Sequence, residues 1–184
     1  MLKKVLYIMV ISLFSLTLLT ACETCEHQVF SSDYQANVDE SIKMSQNLQQ
    51  LYITGEAEDK YGSYTTYKKN YAGSFIDDTG ILNIGLVGDL PKTSAYPGKI
   101  VYKKMTYSLN YLTKVMREIE NLDYPKTSNW ILSIDEQLNC VIMEINNYED
   151  VDRIVKHLKS KKLLKRYAVR FYVDLNMDVD DLEH

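Results

Sequence analysis

Histidine, cysteine and proline each occur only three times in this chain of 184 residues, beside one tryptophan and four phenylalanines. The histidines are His27, His157 and His184. None stands beside a nucleophile it could activate, which argues against a catalytic triad. Cys25 and His27 offer two metal ligands at most, fewer than a zinc site requires. Gly85-Leu86-Val87-Gly88-Asp89 lacks the lysine and the length of a phosphate-binding loop. Lysine and arginine total 21 against 25 acids, a net charge of −4. A mildly acidic chain does not suit a nucleic-acid backbone, and no polybasic patch offers itself to anionic lipid. No catalytic residue, metal or cofactor is therefore expected.

The composition is otherwise ordinary for a globular protein, with 46% hydrophobic and 25% charged residues. The exception is tyrosine: there are 15, ten of them between Tyr52 and Tyr124. Rings of this kind are commonly buried with the hydroxyl left wet. A tyrosine-rich face also suits sugar or peptide binding, and the candidate binding surface is Tyr61, Tyr64, Tyr67 and Tyr71.

The N-terminus reads as an address. Lys3 and Lys4 precede an apolar run from Val5 to Leu19, followed by Leu19-Thr20-Ala21-Cys22. A basic start, an apolar centre and small residues form a secretory signal. The run is about 15 residues, short of the ~20 that a spanning helix needs. Leu-Thr-Ala-Cys resembles the lipobox of bacterial lipoproteins. The resemblance implies cleavage between Ala21 and Cys22, diacylglycerol on Cys22 and a further acyl chain on the new amine. Two or more chains anchor stably where one is marginal. The expected location is the outer face of a bacterial cell membrane. Cys22 and Cys25 look like a redox pair, but a lipidated Cys22 is no longer a thiol. Cys25 and Cys140 remain, free to pair only if the fold brings them together.

The expected organisation is a signal at 1–21, a lipidated tether at 22–33, one domain at 34–173 and an acidic tail at 174–184. Leu182-Glu183-His184 also resembles the start of a cloning scar. Within the domain, Val38, Ile42, Met44, Leu48 and Leu51 predict a helix over Gln35–Tyr52 with Gly55 as its stop. Glu56–Asn70 reads as a polar loop. Two short strands then flank the turn Asp77-Asp78-Thr79-Gly80. Ile100–Tyr107 reads as a third strand. Ser108 caps a helix striped by Leu109, Leu112, Val115, Met116, Ile119 and Leu122. The pattern recurs with strands at Trp130–Asp135 and Cys140–Ile145, a helix capped by Asn147, and a last strand at Tyr167–Val173. In that helix Glu149 and Asp150 lead while Lys156, Lys159, Lys161 and Lys162 follow, in the order its dipole favours. Two ββα-type units, about 70–122 and 130–173, predict an α+β fold. Its sheets are mostly antiparallel, with amphipathic helices packed on one face.

Those hairpins resemble the pro-regions of secreted chymotrypsin-like proteases of the streptogrisin and alpha-lytic type. The carrying residues are Tyr71-Ala72-Gly73-x-Phe75-Ile76-Asp77-x-x-Gly80-x-Leu82-x-Ile84 and Trp130-x-x-x-Ile134-Asp135-x-x-x-Asn139-x-Val141-x-Met143. Tyr107-Ser108-x-x-Tyr111-Leu112-x-x-Val115 fits the helix between. The resemblance spans roughly residues 70–173. It implies a fold and a role in assisting or restraining a protease. The departure is that no Gly-Asp-Ser-Gly segment or protease domain occurs in this sequence. The expected function is a lipid-anchored, non-catalytic domain that binds a protein or peptide. The alternatives are an envelope enzyme with an unrecognised carboxylate site, or a structural or adhesive envelope component.

Overall fold

The computed structural model describes residues 32–92, 96–123 and 130–174. The signal, the lipobox with Ala21 and Cys22, most of the tether and the tail beyond Asp174 lie outside these residues. Contacts divide the chain into Met1–Gln35 and Ala36–His184. Of the first part only the opening turn of a helix is described, and everything below concerns the second.

The fold is α+β. In chain order it runs α1 (Ser32–Tyr52), β1 (Ile53–Asp59), β2 (Gly62–Tyr67), β3 (Tyr71–Ile76), β4 (Leu82–Val87), β5 (Ile100–Met105), α2 (Leu109–Glu120), β6 (Trp130–Asp135), β7 (Cys140–Ile145), α3 (Tyr148–Ser160) and β8 (Val169–Val173). There are three sheets, of order β1-β2, β3-β4-β5 and β6-β7-β8. The hairpin pairs β1–β2, β3–β4 and β6–β7 are antiparallel. The pairs β4–β5 and β7–β8 are parallel, which the hydrophobic pattern did not indicate. A parallel partner needs a long return connection. The Pro-containing stretch from Gly88 to Lys99 provides it in the first unit, and α3 provides it in the second.

The two units thus share a sheet order, a hairpin with a third strand added alongside its second. They differ in where their helices go. The first core holds Tyr71, Leu82, Ile84, Leu86, Ile100 and Leu109, with Met44, Leu48 and Tyr52 of α1 packed against it. The second gathers Leu112, Val115 and Ile119 of α2, Val141, Met143 and Ile145 of β7, and Ile154 and Leu158 of α3. So α2 does not simply cover the hairpin that precedes it, as the ββα expectation had it. Its first residue enters one core and the rest of its stripe enters the other.

Elements end where local chemistry stops them. The Ser108 hydroxyl accepts from the Tyr111 amide and caps α2. The Asn147 side chain accepts from the Asp150 amide and caps α3. On α1 the inward face is Val38, Ser41, Met44, Ser45, Leu48 and Tyr52, whereas Ile42 and Leu51 are exposed. Gly55 does not stop this helix. Tyr52 is its last residue, and Gly55 sits in a strand irregularity at φ +143. The segment Glu56–Asn70, expected as a loop, is mostly the β1–β2 hairpin. Its turn is fixed by Asp59 Oδ1 accepting from the Tyr61 amide at 2.8 Å, an Asx turn.

Two asparagines hold strand ends to distant backbone. Asn139, 6% exposed, accepts from the Thr106 and Tyr107 amides at 2.9 and 2.7 Å and donates to the Tyr107 carbonyl at 2.8 Å. Its backbone is left-handed, φ +52, a conformation Asn tolerates better than most residues. Asn110 does the same at Tyr67, accepting at 2.9 Å and donating at 2.7 Å. The β3 irregularity between Tyr71 and Ser74 needs Gly73. Its φ is +102, and a Cβ there would lie 2.5 Å from Glu136 Cδ. Glu136 reaches from the β6–β7 turn to accept from the Ser74 amide, and burial raises its carboxyl above the usual range.

In the Asp77 turn, one carboxylate oxygen accepts from the Thr79 and Ile81 amides and the Thr79 hydroxyl, while Asn83 donates to the other. Burial pushes this carboxyl up, but the four hydrogen bonds together outweigh it and hold it at about 2. Folded Asp77 therefore gives up its proton more readily than unfolded Asp77. Its stabilisation is full above the ordinary carboxylate range and fades as pH falls toward 2. Because the group is partly solvated, about 1 kcal/mol is expected. Urea melts of wild type and Asp77→Asn at pH 6 and pH 2.5 measure it: the variant, weaker at pH 6, should lose about that much less on acidification. Asn139→Ala strips three backbone groups of partners and puts Ala at positive φ. A loss of about 3 kcal/mol is expected, read as a lower urea midpoint with an unchanged slope.

Candidate functional site

The four candidate tyrosines separate into two pairs. Tyr71 is a core residue, 1% exposed. Its ring stacks on Tyr52 at 4.4 Å between centroids and tilts against Tyr67 at 5.5 Å. Burial raises its hydroxyl to about 12. Tyr71 is therefore withdrawn from the binding surface, and Tyr67 is a half-buried packing partner of the same core. The reason is register: Tyr71 opens β3 and its ring faces Tyr52 of α1.

Tyr61 and Tyr64 are half-buried and lie away from that core. They line a hollow of about 240 Å³ between the tip of the β1–β2 hairpin and α2, with Asp59, Lys60, Arg117 and Glu118. The Arg117 guanidinium lies 4.7 Å from the centre of the Tyr64 ring. It also donates to Asp59 from Nε at 3.2 Å and from Nη2 at 2.7 Å, and to the Gly62 carbonyl at 2.9 Å. Hydrogen bonding from Arg117 holds the Asp59 carboxyl below its usual range. Lys60 sits 4.3 Å over Tyr61. The Tyr61 hydroxyl donates to Glu118 Oε2 at 3.4 Å. The same oxygen meets His157 Nε2 of α3 at 2.9 Å and lies 3.9 Å from Lys161 Nζ. Burial raises Glu118, but the His157 hydrogen bond and the Lys161 and Lys60 charges outweigh it and hold the carboxyl low. Glu118 is thus an ionised hub joining hairpin, α2 and α3.

A second hollow, about 410 Å³, opens where the end of β5, the β6–β7 turn and the start of β8 meet. Lys104, Arg166 and Arg170 line it, and no lining residue is acidic. A third, about 270 Å³, lies between α1 and the Asp77 turn. Among the described residues no group of His, Cys, Asp and Glu is placed to hold a metal ion. Cys140, at the start of β7, is buried, and Cys25 lies outside the described residues. Asp78 sits at a turn, and Glu149 and Asp150 at a helix start.

Sequence reasoning did not pick out Glu118, Arg117 or His157 as a group, because they come together only when α2 and α3 pack. A signal for the hairpin was present: Tyr64-Thr65-Thr66-Tyr67 is rich in strand-favouring residues, and Asp59-Lys60-Tyr61-Gly62 is a turn. Compared with known protein families and with curated proteins, the chain matches none.

The hub predicts that Glu118→Gln, which leaves His157 and Lys161 without their anion, lowers stability by about 1–2 kcal/mol. Hydrogen exchange should then quicken in the β1–β2 hairpin more than in β7; uniform quickening would deny the hub its local role.

Proposed function

We propose that this chain is a surface lipoprotein, cleaved after Ala21 and held to the outer face of a bacterial membrane by lipid on Cys22. Its domain binds a protein or peptide and carries out no reaction. The observation that carries the binding reading is the hairpin tip, where Tyr61, Tyr64 and Arg117 stand together beside a hollow. Tyrosine and arginine are the residue types that dominate protein interfaces. Their charged neighbours are already satisfied, Asp59 by Arg117 and Glu118 by His157 and Lys161. A partner therefore meets half-buried tyrosines and matched pairs. Among the described residues no helix is long and apolar enough to cross a membrane. The sharpest version is a pro-region-like role, restraining or assisting a protease encoded elsewhere, and it rests on the resemblance of residues 70–173.

A second reading has one observation in its favour. Glu118 and His157 are 2.9 Å apart at the rim of a hollow, an acid–base pair that an envelope enzyme would use. Against it, that Glu118 oxygen already serves three partners.

Intact mass of the membrane-extracted protein tests the anchor. Wild type should weigh the chain from Cys22 plus acyl groups, and Cys22→Ala should lose them; an unacylated wild type would remove the anchor. Peptides selected from a random displayed library on the immobilised full chain test the surface. Tyr61→Ala with Tyr64→Ala should weaken them about tenfold, with melting temperature read beside affinity and the measurement made where both proteins are folded. Unchanged affinity would exclude the hairpin.

A further inference from the structure

The hollow at the start of β8 is unlike the rest of the surface. The chain carries a net charge of −4, yet Lys104, Arg166 and Arg170 converge here, all exposed, with no acidic residue among the lining. Asp135, in the adjoining turn, is engaged by the Leu138 amide at 2.7 Å. Exposed apolar surface adjoins the cations, with Leu138 43% and Tyr167 65% exposed.

The walls are held in place. Asn139 fixes the β6–β7 turn to the Thr106–Tyr107 backbone by three hydrogen bonds. The Tyr107 hydroxyl donates to the Arg166 carbonyl. Arg166 stacks 4.6 Å from the centre of the Tyr167 ring and donates to its hydroxyl at 2.7 Å. Tyr167 itself has φ +61, a strained backbone for an aromatic residue. Both positive-φ residues of the hollow, Asn139 and Tyr167, therefore sit in segments pinned by hydrogen bonds. The effect is to turn an arginine and a ring outward on a rigid floor.

β8 leads straight out of this hollow. It pairs with β7 on one side, and no other described strand pairs with it. Val169, Phe171 and Val173 pack on the second core, so Arg170 and Tyr172 point the other way and are exposed. A strand with one bare edge takes an added strand through main-chain hydrogen bonds, and its outward side chains select what is added. Here Arg170 and Tyr172 supply a cation and a ring, with Glu144 of β7 beside Tyr172, so the positive end is the one toward the hollow.

We propose that the β8 edge and the cationic hollow form a binding site for an extended acidic peptide segment of a partner protein. Its backbone pairs with β8, and its carboxylates meet Arg170, Arg166 and Lys104. Arginine forks suit carboxylates geometrically. A phosphate polymer would satisfy the cations but leave the β8 edge unused, which favours the peptide. The negative charge of the remaining surface repels an acidic partner elsewhere and so directs it here. This site is separate from the Tyr61–Tyr64 hairpin and goes beyond the function proposed for it.

The test uses the full chain in detergent and a fluorescein-labelled decapeptide alternating Glu with Val, read by anisotropy. Binding is expected, weakening about tenfold or more in the Arg166→Glu, Arg170→Glu double variant. Lys156→Glu with Lys159→Glu, on the exposed end of α3, should leave it unchanged. Melting temperatures of all three proteins control for folding, and Arg166→Gln with Arg170→Gln serves if charge reversal unfolds the chain. The same peptide N-methylated at every residue keeps its charge but can donate from neither edge, so it cannot pair as a strand and should not bind. Equal binding of the N-methylated peptide, or equal loss in the helix-end variant, overturns the site. So does tighter capture by phosphatidylglycerol vesicles or polyphosphate that the hollow substitutions abolish while the peptide fails to bind. None of these results bears on the hairpin, whose own substitutions leave the cations in place.

Discussion

Neither three-stranded sheet in this protein can bury its apolar face alone, and beside α1 on the first and α3 on the second, one helix is shared by both cores. A sheet of three short strands is stable only when something covers it. Leu109, at the start of α2, belongs to the first core, and Leu112, Val115 and Ile119 belong to the second. Ile134 of β6 packs against both. The stripe of α2 is therefore divided between two cores, and the connection from β5 through Ser108 must hold its direction for either to close.

The polar contacts of the domain answer that requirement. Asn139 grips the chain as it enters α2, and Asn110, on the first turn of α2, grips the end of β2. Glu136 ties the β6–β7 turn to the irregularity of β3, where only a glycine leaves room for it. Each of these bonds joins residues more than thirty positions apart. Each is a side chain reading backbone, so it fixes relative position and does not merely add burial. A buried amide paired on both its oxygen and its nitrogen is costly to leave unmade.

The two surfaces assigned to binding use charge in opposite ways. At the hairpin tip Asp59 has Arg117 and Glu118 has Lys161, and the rings of Tyr61 and Tyr64 are the distinctive feature. At the β8 hollow the cations lack acids among the lining residues, and the backbone edge is the distinctive feature. A matched surface selects by shape and an unmatched one by sign. A domain with both engages a partner at two points, or two partners, from one scaffold.

The sequence by itself determined the α+β class, the caps at Ser108 and Asn147, the Asp77 turn and the inward stripe of α2. These follow from periodicity and turn chemistry, which act over a few residues. It also carried the likeness to lipoprotein signals, which is a linear motif. Three things were decided only by the tertiary structure. The parallel placement of β5 and β8 depends on long connections whose path no local pattern encodes. The burial of Tyr71 against Tyr52, and the placing of Tyr61 beside Glu118, depend on which helix each strand end meets, because a tyrosine suits a buried or a half-buried place. Glu118 beside His157, and Lys104 beside Arg166 and Arg170, are meetings of elements distant in sequence. Charge and hydroxyl groups are satisfied by whatever folding brings near, so their partners cannot be read until the cores have closed.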